Sequence, residues 1–190
     1  MSPTRVKLVL LLGGLAVSGL ILVSWTQPWF ILSLSSEQQV AVTGDVVAGA
    51  LAALGLAGLA LGAALAIAGP VFRVILGVLE TLIGGLVLAS GIMAASDPVG
   101  SSSAAITAAT GVSGAESVRG LVTSVESTAW PVIAIVLGAA CVLLGVAVAA
   151  TSHRWPASSR KYQSTRFEED PAERSSIGDW DSLSEGRDPT

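Results

Sequence analysis

The residue most able to take part in chemistry is Glu80, an acidic residue inside a long apolar run. It follows Val71, the predicted start of a membrane helix, by about nine residues, or about 13 Å at the helical rise. That depth is near the middle of a hydrocarbon core about 30 Å thick. Ionisable groups there are costly and mark proton or ion pathways or polar contacts between helices. Glu80 is therefore the first candidate for an intramembrane polar site.

Arg73 precedes Glu80 by two helical turns and lies on nearly the same face, so it belongs to the same candidate site. Both side chains are long, and we expect Arg73 to extend toward Glu80 and interact with it, more readily through water than directly. Two interpretations stay open: a proton or cation site of a transporter, or a structural clamp between helices. The clamp is favoured, because the other predicted spans contain no second acidic group for a proton relay.

The other reactive residues form no recognisable catalytic or metal-binding set. Cys141 and His153 are the single cysteine and the single histidine, so they supply neither an intrachain disulfide nor a metal site. We expect Cys141 to be a small buried side chain and His153 to lie at a helix end. The sequence has no phosphate-binding glycine loop and no Gly-x-Ser-x-Gly motif. We therefore predict that the protein is not an enzyme and needs no metal or cofactor.

The composition is that of an all-α integral membrane protein. Of the 190 residues, 52% are hydrophobic and 13% are charged, whereas a soluble domain usually has about 25% charged residues. The net charge of −4 is spread along the chain without a basic patch, which argues against a nucleic-acid partner. The long apolar runs predict four transmembrane helices, at about residues 6–23, 46–68, 71–95 and 130–151.

The first apolar run begins like a signal peptide, because Arg5 and Lys7 precede it. It is longer than the usual apolar region of such a peptide, and no small-x-small cleavage site precedes Trp25. We therefore expect an uncleaved first membrane helix. The pair Gly69-Pro70 separates the second and third runs and predicts a tight turn between two helices folded back on each other.

The segments between the first two helices predict a small β-hairpin outside the membrane. Residues 30–35 and 39–43 partly alternate apolar and polar, and the polar residues 36–38 separate them. Asp45 is expected to be the N-cap of the second helix. Within that helix, Gly58-x-x-x-Gly62 is a spacing that permits close helix contact.

The segment 96–129 is polar and rich in Ser, Thr, Ala and Gly. Residues 104–109 fit a short helix, and residues 121–125 fit a strand that joins the hairpin. Trp130-Pro131 then opens the last helix, with proline in the first turn, where its missing N–H is harmless.

Tryptophans border the predicted spans, where amphipathic rings sit among lipid headgroups. We interpret four of them as interfacial anchors: Trp25, Trp29, Trp130 and Trp155.

Residues 153–190 predict a disordered tail that follows a membrane domain of residues 1–152. The tail has few apolar residues and many charges, Ser and Pro, so it cannot bury enough surface to fold alone. Its apolar residues recur at a spacing typical of a short docking element. The same cluster is equally compatible with apolar side chains that lie on the membrane surface. The candidate docking motif consists of Ile177, Trp180, Leu183, Asp188, Pro189 and Thr190.

The basic residues predict the orientation. With four spans, one side of the membrane carries Arg5, Lys7, Arg73, Arg154, Arg160 and Lys161. The loops on the opposite side carry only Arg119. The positive-inside rule then places both termini and the Gly69-Pro70 turn in the cytoplasm, in a multi-pass protein of the plasma membrane, with the hairpin outside the cell.

Three stretches together resemble a known family: Trp25-Thr26-Gln27-Pro28-Trp29, Trp130-Pro131 and the C-terminal segment Trp180–Thr190. With the layout of four spans and a polar tail, they resemble the tryptophan-associated (Trp biosynthesis-associated) membrane proteins of actinobacteria. The resemblance implies a multi-pass membrane protein whose gene lies beside tryptophan biosynthesis genes. It implies no catalytic residues, because the family has no established activity.

These observations predict an accessory or scaffold protein in the lipid bilayer that recruits a cytoplasmic protein through the docking motif. A first alternative is a small transporter of an aromatic amino acid or related metabolite. This transporter would need to be a homo-oligomer, because four thin helices rich in Gly and Ala leave little room for a path in one copy. A second alternative is an envelope protein that binds an extracytoplasmic partner through residues 30–43.

Overall fold

The computed structural model describes residues 3–155, and the candidate docking motif of the tail lies outside them. In chain order the elements are α1 (Pro3–Thr26), β1 (Pro28–Leu34), β2 (Gln39–Thr43), α2 (Gly44–Val47), α3 (Ala50–Ile67), α4 (Pro70–Ser96), α5 (Pro98–Ser101), α6 (Ser103–Thr110), α7 (Ala115–Leu121), β3 (Val122–Ser127) and α8 (Trp130–Thr151). A short 3-10 helix, Ser152–Arg154, follows α8.

Four of these helices, α1, α3, α4 and α8, are long and apolar enough to cross a membrane. They confirm the predicted fold class of a helical membrane protein with four spans. The ends of neighbouring spans meet as an antiparallel bundle requires. Near the start of α1 the Lys7 ammonium donates to the carbonyl of Ala66 at the end of α3, at 3.1 Å.

The contact between α4 and α8 is the most extensive one between helices, and it is made through glycine. Gly77, Gly84 and Gly91 recur every two turns along the buried face of α4, opposite Gly138 and Gly145 of α8. A Cβ at Gly84, Gly138 or Gly145 would lie 2.5 Å from a backbone nitrogen of the other helix. The two backbones therefore touch, as small residues allow in membrane helices.

A second close contact joins α1 to α3. Gly58 and Gly62 face α1, where a Cβ on Gly58 would overlap the Ser18 hydroxyl and one on Gly62 would lie 2.9 Å from Leu15 Cδ2. The small-residue spacing seen in the sequence therefore corresponds to a real helix interface.

The entry into the second span differs from the prediction. Asp45 is not the N-cap of a helix over residues 46–68, because that span begins only at Ala50. Asp45 instead lies in the first turn of the separate helix α2, where its carboxylate accepts a hydrogen bond from the Thr43 hydroxyl. The chain turns here from the sheet into the bundle, and Gly44 permits the turn: a Cβ would lie 2.7 Å from Trp29 Nε1.

The strands form one antiparallel sheet in the order β2-β1-β3. Phe30 pairs with Val42 on one side and with Ser127 on the other. This sheet confirms both the hairpin and the third strand predicted for residues 121–125. At the hairpin tip Glu37 has φ of 60°, a left-handed conformation that is uncommon for residues other than glycine.

The sheet and α2, α5, α6 and α7 form a lobe at one end of the bundle, with its own core and a second core shared with the bundle. Its own core contains Leu32, Leu34, Val42, Ile106 and Val118. The shared core joins Trp29 and Phe30 of β1 to residues of all four spans, including Ile21, Leu51, Val87 and Ala134. The lobe is thus packed onto the helices and is not tethered by loops alone.

Adjacent glycines of α4 provide a test of the contact with α8. Gly84→Ala would place a Cβ 2.5 Å from the Val142 nitrogen, so the helices must separate. We expect the free energy of unfolding to fall by about 1–3 kcal/mol, the usual cost of overpacking. The control is Gly85→Ala, where a Cβ meets nothing within 4 Å, and we expect no loss of stability and a gain of up to about 1 kcal/mol, because alanine is the better helix former. Reversible unfolding in detergent micelles measures both, and equal losses would contradict the contact.

Candidate functional site

Glu80 lies in the interior of the bundle, with 6% of its surface exposed. Its carboxylate points toward α1, where a Cβ on Gly14 would lie 2.8 Å from Oε1. On the α8 side, the Cys141 thiol donates to the Glu80 backbone carbonyl at 3.5 Å. None of the hydrogen bonds between side chains of residues 3–155 involves the Glu80 carboxylate. Three spans therefore enclose a buried acidic group.

Arg73 is also buried, with 1% exposed, but its guanidinium points away from Glu80. Nε donates to the carbonyl of Ala68 at 2.9 Å, and the guanidinium carbon lies 5.4 Å from the centre of the Trp155 ring. This direction follows from helix geometry, because long side chains lean toward the N-terminal end of a helix. Arg73 therefore links the start of α4 to Trp155, which follows the 3-10 helix after α8, through a cation–π contact.

The predicted pair does not form a direct ion pair. The one salt bridge joining two residues of the range 3–155 is Arg119–Asp97, at the other end of α4. The candidate intramembrane site therefore consists of Glu80 with its glycine and cysteine neighbours, and Arg73 belongs to a separate contact.

The tryptophans predicted as interfacial anchors divide into two groups. Trp29 is fully buried and its Nε1 donates to the Ser24 carbonyl at 2.8 Å, which corrects the prediction for this residue. Trp155 is 5% exposed and its Nε1 donates to the Thr151 hydroxyl at 3.1 Å. Trp25 and Trp130 are partly buried and pack against the core shared by lobe and bundle.

Metal-ligand types do not cluster in the described chain. No three His, Cys, Asp or Glu side chains of residues 3–155 come together in a way that could hold a metal ion. Cys141 is buried, as expected, and His153 is exposed in the 3-10 helix after α8.

A cleft in the lobe with polar and apolar walls is the site that the sequence did not indicate. Its volume is about 690 Å³. It lies between α5, α6 and α7 and is lined by Asp97, Val99, Gly100, Ser103, Ala104, Thr107, Ala108, Gly114, Ala115, Val118 and Arg119. Arg119 Nη2 donates to Asp97 Oδ2 at 2.7 Å, and the backbone N–H of Gly100 donates to Asp97 Oδ1 at 3.0 Å.

The sequence carried part of this signal. Asp97 stands directly before Pro98, a pattern typical of an N-cap followed by proline in the first turn, and it caps α5 in this way. Arg119 is the one basic residue in the loops that the positive-inside rule assigns to the outer side. Only the folded lobe brings the two together, because they lie on different helices far apart in the sequence.

The family model of the tryptophan-associated transmembrane proteins matches residues 7–190. This chain belongs to that family. The membership confirms the resemblance inferred from the sequence and supports a membrane location, and the family description names no activity. Neither the curated proteins nor the solved structures contain a match.

The Asp97 carboxyl provides a test of the cleft geometry. The Gly100 hydrogen bond, and secondarily Arg119, hold its pKa below the usual value, which is about 3.9. A carboxyl with a lowered pKa stabilises the fold above its ordinary pKa and loses that contribution as pH falls through the lowered value. We expect Arg119→Gln to raise the Asp97 pKa without restoring the usual value, because the Gly100 bond remains. An NMR titration of the side-chain carboxyl carbon measures both proteins, and an unchanged pKa would contradict the ion pair.

Proposed function

We propose that this family member is an accessory or scaffold protein of the plasma membrane, without catalytic activity, that acts in association with tryptophan biosynthesis. The observation that carries the proposal is the core shared by lobe and bundle. Trp29 and Phe30 of the sheet are fully buried against residues of the spans, so the membrane helices hold the lobe in one position. A fixed extramembrane surface suits protein recognition better than it suits a moving transport gate.

The charge distribution supports an orientation with the lobe outside the cell. Arg5, Lys7 and Arg73 lie at the end of the bundle opposite the lobe, and Arg119 is the lobe's basic residue among the described residues. The positive-inside rule then assigns the end with the α3–α4 turn to the cytoplasm. Under this proposal the lobe faces outward, and the tail that carries the docking motif faces the cytoplasm.

A growth experiment tests the accessory role. We expect a strain lacking the gene to grow more slowly without tryptophan than its parent, and added tryptophan to remove the difference. Complementation separates two surfaces: a chain without residues 176–190 tests the tail, and Val125→Glu tests the lobe, because Val125 is 39% exposed on the edge strand β3.

The controls for complementation are the full chain and Ser182→Ala, which removes one hydroxyl between the motif residues Trp180 and Leu183 and leaves the motif side chains in place. Membrane levels of every variant are compared by immunoblot, so that loss of function is separated from loss of protein. We expect the tail deletion to abolish co-purification of a soluble protein with this chain. Equal growth of mutant and parent without tryptophan would contradict the association with the pathway.

A small transporter of an aromatic amino acid or related metabolite is the second candidate, and Glu80 favours it. The carboxylate is buried among three spans, the usual location of a proton or cation site in transporters. The backbone contact of α4 with α8 leaves no space between these two helices, so this candidate also requires a homo-oligomer.

Uptake and efflux of labelled tryptophan, in cells with and without the gene, test the transport candidate. If this candidate is correct, Glu80→Gln removes the gene-dependent flux and leaves the protein level unchanged, because the amide cannot carry a proton or pair with a cation. Glu116→Gln makes the same chemical change on α7 and should leave flux intact. Flux that persists in Glu80→Gln would make Glu80 structural.

A further inference from the structure

We propose that the cleft between α5, α6 and α7 binds a small organic monocarboxylate, with Arg119 holding the carboxylate and the alanine- and valine-lined wall holding an apolar body. This site is independent of the proposed scaffold function, which requires no small ligand.

Arg119 is positioned for such a ligand by Asp97. A guanidinium has five N–H donors, and the bond from Nη2 to Asp97 uses one of them. The guanidinium makes no other hydrogen bond within residues 3–155. Asp97 is itself fixed, because its second oxygen accepts the N–H of Gly100. The cleft therefore has an exposed arginine that Asp97 holds, 59% exposed, with donors left for a carboxylate, which a guanidinium can bind in bidentate fashion.

Two hydroxyls extend the polar part of the cleft. Ser103 and Thr107 lie one helical turn apart on α6, and both line the cleft. Neither hydroxyl hydrogen-bonds to another residue of the described chain. A hydroxyl rotates to donate to an anion, so these side chains can complete the ligation of a carboxylate that Arg119 holds.

The remaining wall is apolar and built from small side chains. Val99, Ala104, Ala108, Ala115 and Val118 line it, so the cleft is wide and its surface favours an apolar molecule. Its volume of about 690 Å³ is within the usual range for small-molecule sites, about 300–1,000 Å³. A ligand with a charged end and an apolar body fits this division.

The charge of the lobe restricts the ligand to a single negative charge. The lobe carries the acidic residues Glu37, Asp45, Glu116 and Glu126 in addition to Asp97, which itself lines the cleft. A phosphate or a polyanion would face this negative surface with one arginine to offset it. A monocarboxylate needs one cation, and its attraction to Arg119 is sufficient.

Matched probes in lipid nanodiscs test the proposal on the full chain. 3-Phenylpropionate and 2-phenylethylamine share a ring and a two-carbon link and differ in the charged end. We expect the carboxylate to shift backbone amide NMR signals of Gly100 and Gly114 with saturation, and the amine to leave them unchanged. Equal shifts with both probes, or shifts confined to residues of the spans, would overturn the proposal, because they indicate partition into lipid.

The affinity of three variants for 3-phenylpropionate shows which residues bind it. Arg119→Gln should weaken 3-phenylpropionate binding at least tenfold, and Ser103→Ala with Thr107→Ala should weaken it severalfold while leaving the ion pair intact. Arg5→Gln removes the same charge at the other end of the bundle and should leave the affinity within about twofold. Unchanged affinity in both cleft variants would overturn the proposal, and the second variant decides the matter if Arg119→Gln fails to fold. A negative result leaves the growth experiment unaffected, so the two proposals fail separately.

Discussion

The backbone contact of α4 with α8 is the constraint on which the other features of the bundle depend. Lipid offers helices no hydrophobic gain on association, so close packing of small residues must hold them together. Gly84 and Gly138 let the backbones touch, and this fixes the rotation of α4 about its axis. With that rotation fixed, Glu80 lies on the buried side, against Gly14 of α1 and Cys141 of α8.

The same rotation places Arg73 at the edge of the α4–α8 contact, where the chain leaves α8. Its guanidinium contacts the Trp155 ring, and Nε donates to the Ala68 carbonyl. Arg73 and Glu80, the two buried charged residues of α4, therefore have different surroundings. Arg73 is compensated by an aromatic face and a carbonyl oxygen. Glu80 lies among small side chains, and this difference makes it the more informative position for function.

Much of the fold could be predicted because it depends on patterns within single segments. The lengths of the apolar runs indicated four spans, and the alternation in residues 30–35 and 39–43 indicated the hairpin. The third strand predicted for residues 121–125 is found as β3, Val122–Ser127, with Leu121 still in α7. Each of these features follows from local periodicity and from the need to satisfy backbone hydrogen bonds in lipid.

What the sequence could not indicate depends on which segments meet. The sequence around a tryptophan does not show whether its ring faces lipid or the protein interior. The Trp29 ring lies against Gly44, and its Nε1 donates to the Ser24 carbonyl near the end of α1. The separation of α2 from α3 depends on the sheet above the bundle. The cleft depends on a contact between Asp97 and Arg119, which are brought together only when α5, α6 and α7 pack against each other. Sequence spacing also suggested that Arg73 and Glu80 would interact, whereas side-chain direction along the helix decided otherwise.

The shared core then determines what the lobe can do. Trp29 and Phe30 are buried at the level where the sheet meets the spans, so a displacement of the lobe would expose two large aromatic side chains. Exposure of that much apolar surface costs several kcal/mol, which opposes any mechanism in which the lobe swings as a lid. Recognition at the lobe must therefore use surfaces already formed. The cleft between α5, α6 and α7 is such a surface, and Arg119 lines it with Asp97 holding its guanidinium.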